Sequence, residues 1–168
     1  NIDGSGDYNT LIGDSAGAAI TTGDSNVAVG FEALATEDGH GRNVAIGYRA
    51  LKTLNAGTNA NNTVVGYGAG VLMTTATQNT FLGSLVGDEI TTGGANVALG
   101  YGALSAETSS SRNVAVGALT LQAQNGTAGQ TYNTAVGYNA GNDITTGARR
   151  FTTSTCTNCN WITLNCYG

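Results

Sequence analysis

Eight asparagines, at positions 9, 26, 43, 62, 79, 96, 113 and 133, each open the same five-residue phrase. In order the phrases read NTLIG, NVAVG, NVAIG, NTVVG, NTFLG, NVALG, NVAVG and NTAVG. Six of the eight repeats are 17 residues long, that from Asn43 has 19 and that from Asn113 has 20. A unit this short cannot enclose a core of its own. It must bury its apolar face against the next unit, which makes a solenoid.

Each repeat is numbered from its Asn as position 1. Position 2 is β-branched throughout and position 4 is aliphatic throughout, from Thr10 and Ile12 to Thr134 and Val136. Two residues apart, they share one face of a strand, and β-branched side chains suit a pleated surface. Position 5 is glycine in every repeat: Gly13, Gly30, Gly47, Gly66, Gly83, Gly100, Gly117 and Gly137. A strand that ends on glycine predicts a positive φ or a close backbone approach. The asparagines, Asn9, Asn26, Asn43, Asn62, Asn79, Asn96, Asn113 and Asn133, are expected to bond nearby backbone at a turn and to join coil to coil in an amide ladder. Position 8 is small in most repeats, and a second short strand is expected over positions 7 to 9. Two short strands and two turns per repeat predict an all-β fold, a narrow parallel β-solenoid of eight coils.

A longer period lies above the first. Position 9 reads Gly17, Leu34, Leu51, Gly70, then Gly87, Leu104, Leu121, Gly141. Residues 9–78 and 79–149 therefore read as a duplicated block of four coils, preceded by a lead-in over 1–8 and followed by a tail or cap over 150–168 without the repeat. Where position 9 is Gly, position 12 is a large apolar residue, Ile20, Met73, Ile90 or Ile144. Where position 9 is Leu, position 12 is Glu37, Leu54, Glu107 or Gln124. Moving one bulky side chain between two places roughly conserves core volume.

Position 3 is apolar in all eight coils: Leu11, Ala28, Ala45, Val64, Phe81, Ala98, Ala115 and Ala135. With positions 2 and 4 assigned to the core, this row faces outward. An apolar stripe along a rod predicts contact with other copies of the chain, as a trimer about the long axis. The lengthened coils carry candidate binding loops, Asn55, Thr58, Asn59 and Asn61 in the first block and Gln124, Asn125, Thr127 and Gln130 in the second, because rigid scaffolds place recognition on loops.

Other chemistry is thinly represented. Charged residues make up 10% of the chain, and the six Lys and Arg are scattered, which argues against a nucleic-acid partner. No apolar run of 18 residues is present to span a membrane as a helix. Cys156, Cys159 and Cys166 cluster in the tail, where a disulfide is favoured over zinc, since the single histidine, His40, is remote in sequence. Glu37 and Glu107 are 70 residues apart and form no catalytic pair, and the Asp residues near the turns lack an EF-hand pattern. No cofactor is expected, and the chain reads as non-enzymatic. Aromatic residues recur at position 6 (Phe31, Tyr48, Tyr67, Tyr101, Tyr138), read as packing beside the turn with sugar stacking as the other option. Thr-Thr pairs fall in coils 1, 4, 5 and 8, too irregular for an ice-binding array. Asn61 and Asn125 head N-x-[ST] sequences in the two insertions.

The phrases N-V-A-V-G, N-V-A-I-G and N-V-A-L-G followed by x-x-A-L resemble the head repeats of YadA-like trimeric autotransporter adhesins. N-T-A-V-G-Y-x-A-G resembles repeats of bacteriophage tail fibres. The resemblance covers residues 9–147. It implies a left-handed parallel β-roll, trimeric, in a surface-exposed fibre of a virion or a bacterial cell, used for attachment to a cell-surface glycan or protein. Repeats here are longer than in typical adhesin heads. The competing reading is a subunit of an extracellular filament built head to tail, since open solenoid ends are unpaired edges; a polysaccharide-acting solenoid stands further off.

Overall fold

The computed structural model describes residues 7–124 and 129–153, and in these the chain is all-β, with no helix. The strands are β1 (Thr10–Ile12), β2 (Val27–Val29), β3 (Val44–Ile46), β4 (Thr63–Val65), β5 (Thr80–Leu82), β6 (Val97–Leu99), β7 (Ser110–Ser111), β8 (Val114–Val116), β9 (Gly129–Gln130), β10 (Thr134–Val136) and β11 (Phe151–Thr153). Nine of them form one parallel sheet in the order β1-β2-β3-β4-β5-β6-β8-β10-β11, while β7 pairs with β9. Positions 2, 3 and 4 of each coil pair with the same positions of the next. The two long coils do not shift that register: Val44 pairs with Thr63, and Val114 with Thr134. The fold is a parallel β-solenoid of about eight turns.

The sheet runs past the expected boundary at 149. β11 pairs with β10 through Thr134 and Phe151, and Arg150 stands where an Asn stood in each earlier coil, its N–H donating to Asn133 Oδ1 at 3.0 Å. The first residues of the tail therefore begin a ninth turn.

The inside and outside of the sheet are the reverse of the sequence reading. Ala28, Ala45, Val64, Phe81, Ala98, Ala115 and Ala135 are buried within the single chain, and Leu11 packs against them. This position 3 row is the core and not an outward interface. Positions 2 and 4 point away from it and are exposed or half-buried. The reason is geometric. A three-residue strand in a narrow coil turns one side chain inward and two outward, and alternation forces the middle one to be the inward one. The sequence does carry a signal for this. Position 3 is Leu11, Val64 or Phe81 where position 9 is Gly, and Ala28, Ala45, Ala98 or Ala115 where position 9 is Leu. A Cβ placed on Gly17 would lie 2.7 Å from Leu11, and one on Gly87 would lie 2.5 Å from Phe81. Positions 3 and 9 thus share one space, and their volumes trade. Coil 8 departs from the trade, with Ala135 beside Gly141, where Leu121 and Thr152 take up the room.

The expected second strand over positions 7 to 9 is absent from the described coils, and a turn replaces it. Positions 7 and 9 adopt left-handed backbone in all eight coils, with φ from 50° at Leu34 to 63° at Gly141. Ser15, Glu32, Arg49, Leu85, Leu119 and Asn139 hold this conformation at position 7, and Leu34, Leu51, Leu104 and Leu121 at position 9. A residue with a Cβ takes up left-handed backbone at a cost of about 1–2 kcal/mol. Stacking over-determines the turn: Leu34 N–H donates to Ala50 O at 3.0 Å and Arg49 N–H to Phe31 O at 2.8 Å, each in a neighbouring coil.

The glycine at position 5 answers to a stricter demand. Its φ runs from 119° to 148°, and a Cβ on Gly66 would sit 1.9 Å from Gly83 O. These glycines stack backbone on backbone, which leaves no room for a side chain.

Candidate functional site

The asparagine ladder forms as the repeat predicts. Each Asn N–H donates to the Oδ1 of the preceding Asn, from Asn26 on Asn9 at 2.9 Å to Asn133 on Asn113 at 3.0 Å. In the coils of standard length the Nδ2 donates onward to the carbonyl fourteen residues later, as Asn79 does to Gly93 at 3.0 Å and Asn96 to Ser110 at 3.0 Å, whereas Asn43, which opens a lengthened coil, donates to Gly41 O at 3.3 Å. All from Asn26 onward are buried. A buried amide left without partners costs about 1–3 kcal/mol, and here the donors and acceptors of one coil are completed by the next. The ladder is a structural seam.

The outward face of the nine-stranded sheet is apolar at position 4 in every coil: Ile12, Val29, Ile46, Val65, Leu82, Leu99, Val116 and Val136. Ile12 is 58% exposed and Leu82 54%. Position 2 adds four valines and four threonines. Because each coil pairs in register with the next, these side chains fall in two straight rows. The sequence led to the wrong row: it is positions 2 and 4 that form the apolar face.

Beside this face, Phe31, Tyr48 and Tyr67 stack along the axis, with ring centroids 5.4 and 4.9 Å apart and planes within 15°. The Arg49 guanidinium lies 5.0 Å from the Tyr48 centroid and 2.6 Å from Glu32, which also accepts from Lys52 at 2.8 Å. Those two cations hold the Glu32 carboxyl below its usual range, the Lys52 hydrogen bond first and the Arg49 hydrogen bond second.

Of the expected loop residues, Asn55, Thr58, Asn59 and Asn61 are exposed. Asn59 Oδ1 accepts from Gly41 N–H at 3.1 Å, and Asn61 Nδ2 donates to Asn59 O at 2.9 Å, so the first insertion is tied to the coil before it. In the second insertion Gln130 is exposed and accepts from the Tyr132 hydroxyl. Gln124 is not a surface residue: it is buried and donates to Glu107 Oε2 and Thr131 Oγ1, each at 3.2 Å. It occupies position 12, which points inward in every coil, so its register decides its burial. Asn125, Thr127, Cys156, Cys159 and Cys166 lie outside the described residues.

Position 12 brings two acids into the core. Glu37 and Glu107 are both buried. Glu107 Oε1 accepts from Ser109 N–H at 2.9 Å and Ser110 N–H at 2.7 Å. Glu37 accepts from His40 N–H at 3.2 Å and Ala56 N–H at 3.4 Å, with the His40 ring 3.6 Å away. Burial raises the Glu37 carboxyl above its usual range, and the two backbone N–H groups pull it back only in part. Neither carboxylate was placed in the interior by the sequence reading, which gave position 12 a core place only in the coils with Gly at position 9. The threonine pairs are tied down as well, Thr21 Oγ1 donating to Asp38 O and Thr91 Oγ1 to Thr108 O across coils.

Comparison with family models, curated proteins and solved structures returns no match for this chain. No described helix is long and apolar enough to cross a membrane.

Proposed function

We propose that the chain is the shaft or head of a homotrimeric, left-handed β-roll fibre on a virion or bacterial surface, serving attachment to a cell-surface glycan or protein and performing no catalysis. The observation that carries this reading is the double row at positions 2 and 4. Its position 4 row is apolar over all eight coils and its position 2 row is valine or threonine, and both are straight and repeat at the strand spacing of the sheet. A partner able to cover every coil must repeat at the same spacing of about 4.8 Å, and another copy of the chain does so by construction. Three such faces meeting along an axis bury the rows of all three chains. The exposed turns and the insertion around Asn55, Thr58, Asn59 and Asn61 then face outward, three copies to a ring, where weak contacts add through multivalency.

Light scattering on the purified chain is expected to give a trimer. Leu99→Glu with Val116→Glu should yield a folded monomer, because charges on the outward face are harmful only when that face is covered. Ala98→Glu should unfold the coil itself. A monomeric parent chain sinks the assembly. Deleting Gly57 and Thr58, which restores the 17-residue length, should leave the trimer intact and lower avidity for cells; unchanged avidity moves the recognition site off this loop.

A further inference from the structure

The geometry points to a divalent-metal site, suited to zinc, at the turn of coil 2 formed by Glu37, Asp38 and His40. One ligand atom from each of the three lies within 4.8 Å of the other two. Glu37 Oε1 and His40 Nδ1 are 3.6 Å apart, too long for a hydrogen bond. Two ligands at 2.0–2.2 Å from one tetrahedral zinc stand about 3.4 Å apart. A nitrogen and two carboxylate oxygens are a donor set zinc accepts, with a fourth position left to water.

A second observation singles out this turn. His40 Nδ1 is cut off from solvent and has no hydrogen-bond partner. Such an atom ordinarily finds a partner, and an ion held between it and Glu37 supplies one. The atoms are also held ready. Asp38 O accepts from Thr21 N–H at 2.8 Å, His40 O accepts from Asn26 Nδ2 at 3.2 Å, and Glu37 is anchored in the core by two backbone N–H groups. The Asp38 side chain is exposed and the His40 side chain is 34% exposed, so one flank of the cluster faces solvent and gives an ion its way in.

The duplication provides an internal contrast. At the matching turn of coil 6, Thr108 stands for Asp38 and Ser110 for His40, while the glutamate is kept as Glu107. There Glu107 Oε1 is taken by the Ser109 and Ser110 N–H groups. Position 15 holds Gly23, His40, Ala76, Gly93, Ser110 or Gly147 in the six coils of standard length, so a ring at this place is peculiar to coil 2 among them. Ala56 and Asn59 of the first insertion touch the same turn through Glu37 and Gly41. A bound ion would therefore also fix that loop against the rod.

His40 is the chain's only histidine, which makes a clean probe. Zinc is titrated into the full-length, chelator-stripped chain with its cysteines alkylated, and the imidazole nitrogens are followed by long-range proton–nitrogen NMR. The expected result is saturation at one zinc per chain with the large shift at Nδ1, accompanied by a higher Tm. Asp38→Asn and His40→Gln should each weaken binding at least tenfold while the circular dichroism of the apo chain is unchanged. Asp38 is on the surface, so its variant tests the ion without disturbing the core. An imidazole whose Nδ1 does not respond to zinc, or equal zinc affinity in parent and Asp38→Asn, overturns the site. In that case the His40–Glu37 approach is a packing contact of the folded turn and nothing more.

Discussion

The two four-coil blocks share a backbone and differ in how they hold a buried acid. In the first, Glu37 meets two backbone N–H groups at 3.2 and 3.4 Å, and coil 3 offers it Leu54. In the second, Glu107 meets two at 2.9 and 2.7 Å, and coil 7 offers Gln124 in the place of Leu54. That amide continues the network: Gln124 Oε1 accepts from Asn133 Nδ2 at 3.0 Å, and Thr131 Oγ1 donates to Asn113 Oδ1 at 2.6 Å. One block has a connected polar interior and the other a carboxylate beside aliphatic side chains. A fold this regular tolerates either, because each coil settles its polar groups with its immediate neighbours. The contrast teaches that a buried acid is stabilised by what the next coil presents and not by its own repeat.

The largest effects should be blind to that difference. Gly30→Val and Gly100→Val occupy matching places, with Cβ contacts of 2.5 Å to Gly47 O and 2.6 Å to Gly117 O. Both should cost about 4 kcal/mol or more in chemical denaturation. Gly68→Val, whose Cβ would meet only Leu85 Cδ2 at 3.0 Å, should cost far less. Unequal losses at Gly30 and Gly100 break the equivalence of the blocks.

Gln124→Leu converts coil 7 to the pattern of coil 3. It removes the amide that joins Glu107 Oε2, Thr131 Oγ1 and Asn133 Nδ2 in one buried network and should cost about 1–3 kcal/mol. A loss under about 1 kcal/mol means that the network carries little. Glu37→Leu in metal-free buffer should act in the opposite direction and stabilise by about 1 kcal/mol, as replacing poorly compensated buried charge often does. Coil 3 already packs Leu51 with Leu54 in the corresponding places, so the volume is accommodated. Destabilisation by this variant would show the first block to be as well compensated as the second.

Smaller still is the stacked column. Tyr48 links Phe31 to Tyr67 in the first block, and Ala118 stands in its place in the second. Tyr48→Ala should cost about 1 kcal/mol, and Ala118→Tyr should recover part of that between Tyr101 and Tyr138. The smallest effect depends on pH. Asp88 in coil 5 matches Ala18 in coil 1, and burial raises its carboxyl above 3.8. The folded form therefore ionises later than the unfolded chain. Stability is lost as pH rises from the unfolded value through the folded one. Asp88→Ala should match the parent Tm at about pH 3 and exceed it at neutral pH. A constant difference between the two curves would assign the effect to packing and not to ionisation.

The sequence by itself determined the first eight coils, their pairing register and the seam. Asn recurring with Gly four residues on leaves little choice, because a stacked amide and a backbone contact with no room for Cβ fit no other residue pair. The expected exchange of volume between positions 9 and 12 does not hold, because position 12 is filled and buried in every coil, by Leu54, Glu37, Glu107 and Gln124 as by Met73 and Ile90, and position 9 trades with position 3 instead. Only the tertiary structure decided which face of each strand is inside. Positions 3 and 4 are apolar throughout and position 2 is valine or threonine, so alternation is silent, and the inward row is set by the width of the coil. The left-handed turns were hidden for a related reason: Leu34, Arg49 or Glu32 does not advertise positive φ, and hydrogen bonds from adjacent coils impose it. The meeting of Glu37, Asp38 and His40 was likewise invisible, since four residues of chain bring their side chains together only when a turn clamped from both sides folds them back on one another.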